Sequence, residues 1–182
     1  GSQKLDGYAS FKQVLEDKNI HFQSLNLREA DTVPEDASAT IIAGSLQQWT
    51  PAELQKLDRY MKTGGRLLGA FHFQKFGKRT GLENWLQTWG VSVGNNVIDD
   101  NQTYSGSELL VGNMVPHPVT NPLLGSRTPL VLSLPRSIEP ANAKPMEDLE
   151  VEVGKLVLTT TNGVAKSEFF KGAFVHNSIT DI

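Results

Sequence analysis

The side chains of this 182-residue chain best suited to acid–base work, cation binding or ligand contact are its four histidines, at 21, 72, 117 and 176, and the adjacent Asp99 and Asp100. His72 follows the apolar run Leu67 to Phe71, at the carboxyl end of an expected strand, where open α/β sheets place their sites. The competing reading is an imidazole satisfied by loop backbone. Asp99 and Asp100 end another expected strand. Paired carboxylates can hold a cation or divide acid and base roles, but neighbours on a strand point to opposite faces, which favours a turn or cap role. His117 opens His-Pro-Val-Thr-Asn-Pro-Leu-Leu, where the prolines fix the backbone and could turn a histidine and a threonine toward a ligand. The alternative there is a structural loop whose Val119, Leu123 and Leu124 plug the core. His72, Asp99, Asp100 and His117 are therefore the candidate ligand-binding residues.

The strong signatures of chemistry are missing. The histidines lack the i, i+4 spacing that aligns two imidazoles for zinc. There is no GxSxG elbow, no Walker-A spacing around Gly69 and Gly77, and no GxGxxG after a strand. With no cysteine in the chain, a disulfide framework, a thiolate zinc site and a cysteine nucleophile are excluded together. No cofactor, no metal and no enzymatic activity are expected. Trp85 and Trp89 could stack on sugars, but with Leu82 and Leu86 they fall at i, i+3, i+4 and i+7, which reads as core. Trp49 fits a hydrophobic staple beside a helix start. Asn101-Gln102-Thr103 is a formal glycosylation sequon.

The composition must then supply a fold able to place these residues. A hydrophobic fraction of 38%, a charged fraction of 20% and a mean hydropathy of -0.28 describe a globular chain long enough to bury a core. The net charge of -3 offers no broad positive field, so nucleic acid is not an expected partner. No stretch approaches the roughly 20 apolar residues that span a bilayer. Gly1-Ser2 has the form of an expression scar, residues 1–7 are expected to be a flexible start, and 8–182 a single domain belonging to a longer protein.

Ser10-Phe11-Lys12-Gln13 has capping-box form and predicts a helix carrying Phe11, Val14 and Leu15, followed by a strand over 21–27. The apolar run Ala39 to Gly44 predicts a strand covered on both faces. Thr50-Pro51-Ala52-Glu53 is the clearest helix start, with Gly64-Gly65 as its left-handed stop before a strand over 66–71. Thr80-Gly81-Leu82-Glu83 repeats the capping-box form, Gly90 stops that helix, and Val91 to Ile98 returns as strand. Prolines at 116, 118, 122, 129 and 135 point to loops and short edge strands, with strands over 130–134 and 155–160. The expectation is an α/β domain with a doubly wound, mostly parallel sheet flanked by helices and a β-richer C-terminal part.

The ordered series Val33-Pro34-Glu35-Asp36-Ala37, TPAELQKLDRYMKTGGRLLGAF, GLENWLQTWGVSVGNNVIDD, HPVTNPL, LPRSI and LVLTTTNGVAKSE resembles the auxiliary components of uncharacterised bacterial ABC-type transport systems, gliding-motility-associated members included. The resemblance implies a class I glutamine amidotransferase-like, flavodoxin-like fold. It implies anchoring by membrane segments outside this region, so that the domain faces the periplasm or the extracytoplasmic side of the inner membrane. Amidotransferase relatives use a cysteine at a strand-to-helix elbow, and this chain has none. The implied role is non-catalytic binding or assembly, with ABC transporter membrane subunits, other envelope proteins or carbohydrate as partners.

Two rivals remain at this level. One is a hydrolase using Asp99 or Asp100 with His72 or His117, which needs these groups to converge in a pocket. The other is a structural homodimer domain, which an exposed apolar face would favour.

Overall fold

The computed structural model describes residues 8–71, 73, 78–100, 103–105, 108–111, 113–126, 130–142, 152–167, 169–170, 173–174 and 177–178. Helix α1 is Ala9–Asp17, and its N-cap is Tyr8 with no side-chain cap, so Ser10 lies within the helix and does not cap it. No α1 residue is buried. Asn19, at φ 58°, takes the left-handed turn that ends it. Residues 20–26 are exposed and irregular, where a strand was expected; among the described residues no ladder partner meets them.

The chain enters the core at Leu27. Strand β1 (Thr40–Ala43), helix α2 (Pro51–Lys62) and strand β2 (Leu67–Ala70) form the expected crossover, with β1 and β2 parallel and Thr40 opposite Leu67 through Ala43 opposite Ala70. Local chemistry fixes α2. The Thr50 hydroxyl accepts from the Glu53 amide, Glu53 accepts from the Thr50 amide, and Pro51 occupies the first turn, so the first orphan donors are satisfied. Gly64, at φ +91° and with open space where a Cβ would stand, closes it for reasons of backbone conformation alone. Leu57 projects from α2 into a cluster with Leu27, Val33, Ile42, Leu82 and Trp85. This cluster covers one face of the β1–β2 pair. Ile41 and Leu68, opposite each other in register, are 37% and 56% exposed, so β1 is not covered on both faces.

Helix α3 (Leu82–Thr88) buries Leu82 and Trp85 in this core, and Gly90, at φ 80°, turns the chain into β3 (Val91–Val93). From here the structure departs from the expected doubly wound sheet. The remaining strands are β4 (Val97–Asp99), β5 (Thr103–Ser105), β6 (Glu108–Val111), β7 (Asn113–Met114), β8 (Leu130–Ser133), β9 (Ile138–Pro140), β10 (Val157–Leu158), β11 (Val164–Lys166), β12 (Phe169–Phe170), β13 (Ala173–Phe174) and β14 (Asn177–Ser178). They form separate antiparallel groups: β3 with β9, β4 with β11 and β14, β5 with β6 and β8, β7 with β10, and β12 with β13.

The Rossmann, flavodoxin-like and amidotransferase-like expectation is therefore corrected to a mostly β arrangement of short antiparallel pairs around one parallel crossover. The physical reason is the want of crossover helices. Parallel neighbours need a crossover of about a dozen residues or more, usually a helix, and only β1 to β2 among the described pairs is parallel. Past α3 no helix is found among the described residues, and β3 and β4, parted by Gly94 to Asn96, pair antiparallel with β9 and β11 from far along the chain. The expected strand over 91–98 is thus two strands, and that over 155–160 shrinks to β10.

Candidate functional site

Two joints follow the carboxyl ends of β1 and β2, and the sequence builds both alike. After β1, Thr50 and Glu53 cap α2, with Glu53 Oε2 2.8 Å from both the Thr50 amide and hydroxyl. Glu53 Oε1 accepts from Arg28 Nε at 3.3 Å, and the Arg28 Nη2 reaches the carbonyl of Gln48. After β2, Glu83 Oε2 accepts from the Thr80 amide (2.9 Å), the Thr80 hydroxyl (3.1 Å) and the Gly81 amide (3.1 Å). Glu83 Oε1 accepts from Arg136 Nη1 at 2.9 Å. Gly81, at φ 92°, is the N-cap residue itself, so here the carboxylate does the capping and the threonine hydroxyl donates to it. The Trp49 amide donates to the Thr80 carbonyl at 2.8 Å and joins the two joints, while its indole Nε1 donates to Ser45 Oγ.

Burial separates them. The Glu83 and Arg136 side chains are 1% and 7% exposed; those of Glu53 and Arg28 are 11% and 54%. For both glutamates burial works to raise the pKa and is outweighed. Glu83 is held below the ordinary carboxylate range by bonds from its own amide, Arg136 and Thr80. Glu53 is held there by Thr50 and Arg28.

Arg136 comes from the connection between β8 and β9. Its Nε donates to the Gly94 carbonyl at 2.6 Å, and its guanidinium lies 5.9 Å from the centre of the Phe71 ring, within cation–π range. Its Nη2 is buried and meets no acceptor among the described residues. The guanidinium thus helps tie the C-terminal part to the end of β2 and the start of α3, beside the Phe73 amide, which donates to the Leu134 carbonyl at 2.8 Å. Chemically, the arrangement is a neutralised, preorganised anchor.

Arg136 and Glu83 were not among the residues that sequence reasoning selected. A capping role marks Glu83, but its partner lies 53 positions away. The available signal was a lone charge flanked by the apolar Leu134, Pro135 and Ile138, which needs an acceptor if it is buried.

The residues selected from sequence lie elsewhere. Asp99, whose side chain is 42% exposed, pairs across β4 and β11 with Lys166. Asp100 is buried and accepts from the Thr160 amide at 2.7 Å and hydroxyl at 2.5 Å, the turn-holding role weighed for it. His117 is exposed, and its Nδ1 accepts from the Val119 amide within its own turn. Its amide donates to Asn121 Oδ1. Val119, Leu123 and Leu124 do not plug the core, being 66%, 39% and 39% exposed. The anchor of that loop is Thr120, 3% exposed, which donates to the Val115 carbonyl. His72 lies outside the described residues, as do His176 and Asn101. Trp85 and Trp89 meet edge to face at 6.2 Å, and Trp85 is buried with its Nε1 on Asp58, as the core reading requires. Among the described residues there is no cluster of three histidine or acidic side chains fit to hold a metal ion, and no helix is long and apolar enough to cross a membrane.

No curated protein and no solved structure matches the chain. A family model described as ABC-type uncharacterized transport system, of the auxiliary components, matches residues 3–131. The LPRSI and LVLTTTNGVAKSE segments lie beyond that match, which spans both capped joints up to Glu83 and well past it. With most of its 182 residues matched, the chain belongs to the family of auxiliary components of uncharacterised ABC-type transport systems.

Proposed function

We propose that the chain is a binding and assembly module that works beside the membrane subunits of an ABC-type transport system, on the extracytoplasmic face, without turnover of its own. Family membership carries this reading. It is supported by what the residues suited to catalysis do. Asp100 holds the Thr160 turn with both carboxylate oxygens, Asp99 is paired with Lys166, and His117 braces its own loop. General acid–base groups instead need reach to a reacting atom. Asp99 and His117, which remain accessible, are retained with His72 as contacts for the partner, and Asp100 contributes by positioning.

Co-expression with the transporter's membrane subunits and purification in mild detergent tests the reading. A stoichiometric complex, weakened by a paired Asp99→Ala and His117→Ala change, is the expected outcome. Absence of a complex, together with turnover of chromogenic esters or glycosides, would overturn it. A periplasm-active phosphatase reporter fused to the full-length protein checks the side of the membrane: activity supports the extracytoplasmic placement and silence contradicts it.

A further inference from the structure

Residues 8–26 form an arm in which no residue is buried and large apolar side chains stand exposed. In α1 the polar side is internally satisfied, with Lys12 paired to Glu16 and Gln13 donating to Asp17. The other side leaves Phe11 40% and Val14 55% exposed, and the following segment leaves Ile20, Phe22 and Leu25 at 50%, 39% and 38%. Only at Leu27, 6% exposed, does the chain enter the core. The same chain carries the complementary defect. The β1–β2 pair is parallel, a sheet type that is normally covered on both faces, yet Ile41 and Leu68 stand exposed on the side away from the core, with Ala43 and Ala70 beyond them at the same register positions.

We infer that the arm of one copy covers the open β1–β2 face of a second copy, with the exchange reciprocated about a twofold axis. Both halves of the contact lie on every chain, as an isologous dimer requires. The exposed apolar residues of arm and face together present on the order of 700 Å² per chain, taking aromatic side chains at roughly 150–250 Å² each. That is close to the roughly 800 Å² each partner gives to a stable interface.

The chain's lack of cysteine makes the test direct. Val14→Cys and Leu68→Cys are introduced together, both at exposed positions, and the protein is treated with a short bifunctional thiol reagent. The expected product is a covalent dimer, matched by a dimer in analytical ultracentrifugation of the unmodified protein at micromolar concentration. Val14→Glu alone and Leu68→Glu alone should each raise the dimer dissociation constant at least tenfold, and mixing the two variants should restore part of the association because one arm–face contact survives. Circular dichroism verifies that each variant remains folded. A monomer at all concentrations, a cross-link formed only within one chain, or a dimer indifferent to both charges would each overturn the inference.

Discussion

The joint after β1 and the joint after β2 use the same parts: a threonine, a glutamate three residues on, and an arginine from a distant segment. They differ in where the arginine lies. Arg28 holds Glu53 from the surface, with its side chain 54% exposed, whereas Arg136 holds Glu83 from inside, at 7%. The same pairing chemistry is thus an accessory in one place and a structural requirement in the other. A solvated pair gains little beyond what water already supplies, and a buried pair leaves an uncompensated charge when either partner is lost.

The largest expected effect comes from removing one side of each pair. Arg136→Ala should cost about 3–5 kcal/mol in urea denaturation, while Arg28→Ala should cost under about 1 kcal/mol. Equal losses would erase the distinction between the joints. Next comes the threonine. Thr80→Ala removes a hydroxyl donor to a buried carboxylate and should cost roughly 1.5–3 kcal/mol. Thr50→Ala removes a helix cap and should cost about 1 kcal/mol. If Thr50 proved the more sensitive, the burial argument would fail at the level of single hydrogen bonds.

Acid provides a third comparison. Both glutamates have folded-state pKa values below the ordinary 4.5, so the stability each contributes is fully present above that value and is lost as pH falls through the lower, folded-state pKa. Midpoint denaturant concentration should therefore drop below about pH 4.5. Glu83→Gln, destabilised at neutral pH, should show a shallower drop than the unmodified protein. An unchanged acid slope would mean that other carboxylates govern it. The smallest effect is expected at the pair outside both joints: Asp99→Asn, on a side chain 42% exposed, should cost about 1 kcal/mol or less in the same denaturation assay.

What could be read from sequence follows the range of the interactions. The Thr50 to Glu53 cap, its proline, and the glycine that ends α2 act within one helical turn and were legible. So were the runs that became β1 and β2, because burial leaves an apolar signature whatever the neighbour. The direction and identity of that neighbour leave none. Val91 to Ile98 reads as one strand, but Gly94 and Asn96 meet Ser137 and break it, and the pieces pair with β9 and β11 from far along the chain. Residues 21–27 carry a strand pattern without a strand, for want of a partner among the described residues. The site was missed for the same reason. Asp99, Asp100 and His117 stand out by type, whereas Arg136 gains its importance from distant partners, Glu83 and Phe71 among them, which lie 53 and 65 positions away.

The most direct test of the buried joint is a double-mutant cycle on Glu83→Gln and Arg136→Met, measured by urea denaturation at neutral pH. A coupling of about 2–3 kcal/mol, with the double variant more stable than the sum of the singles implies, is the predicted result. Additivity within about 0.5 kcal/mol would mean that the two residues act independently, contradicting the account that this pair joins the C-terminal strands to the crossover unit.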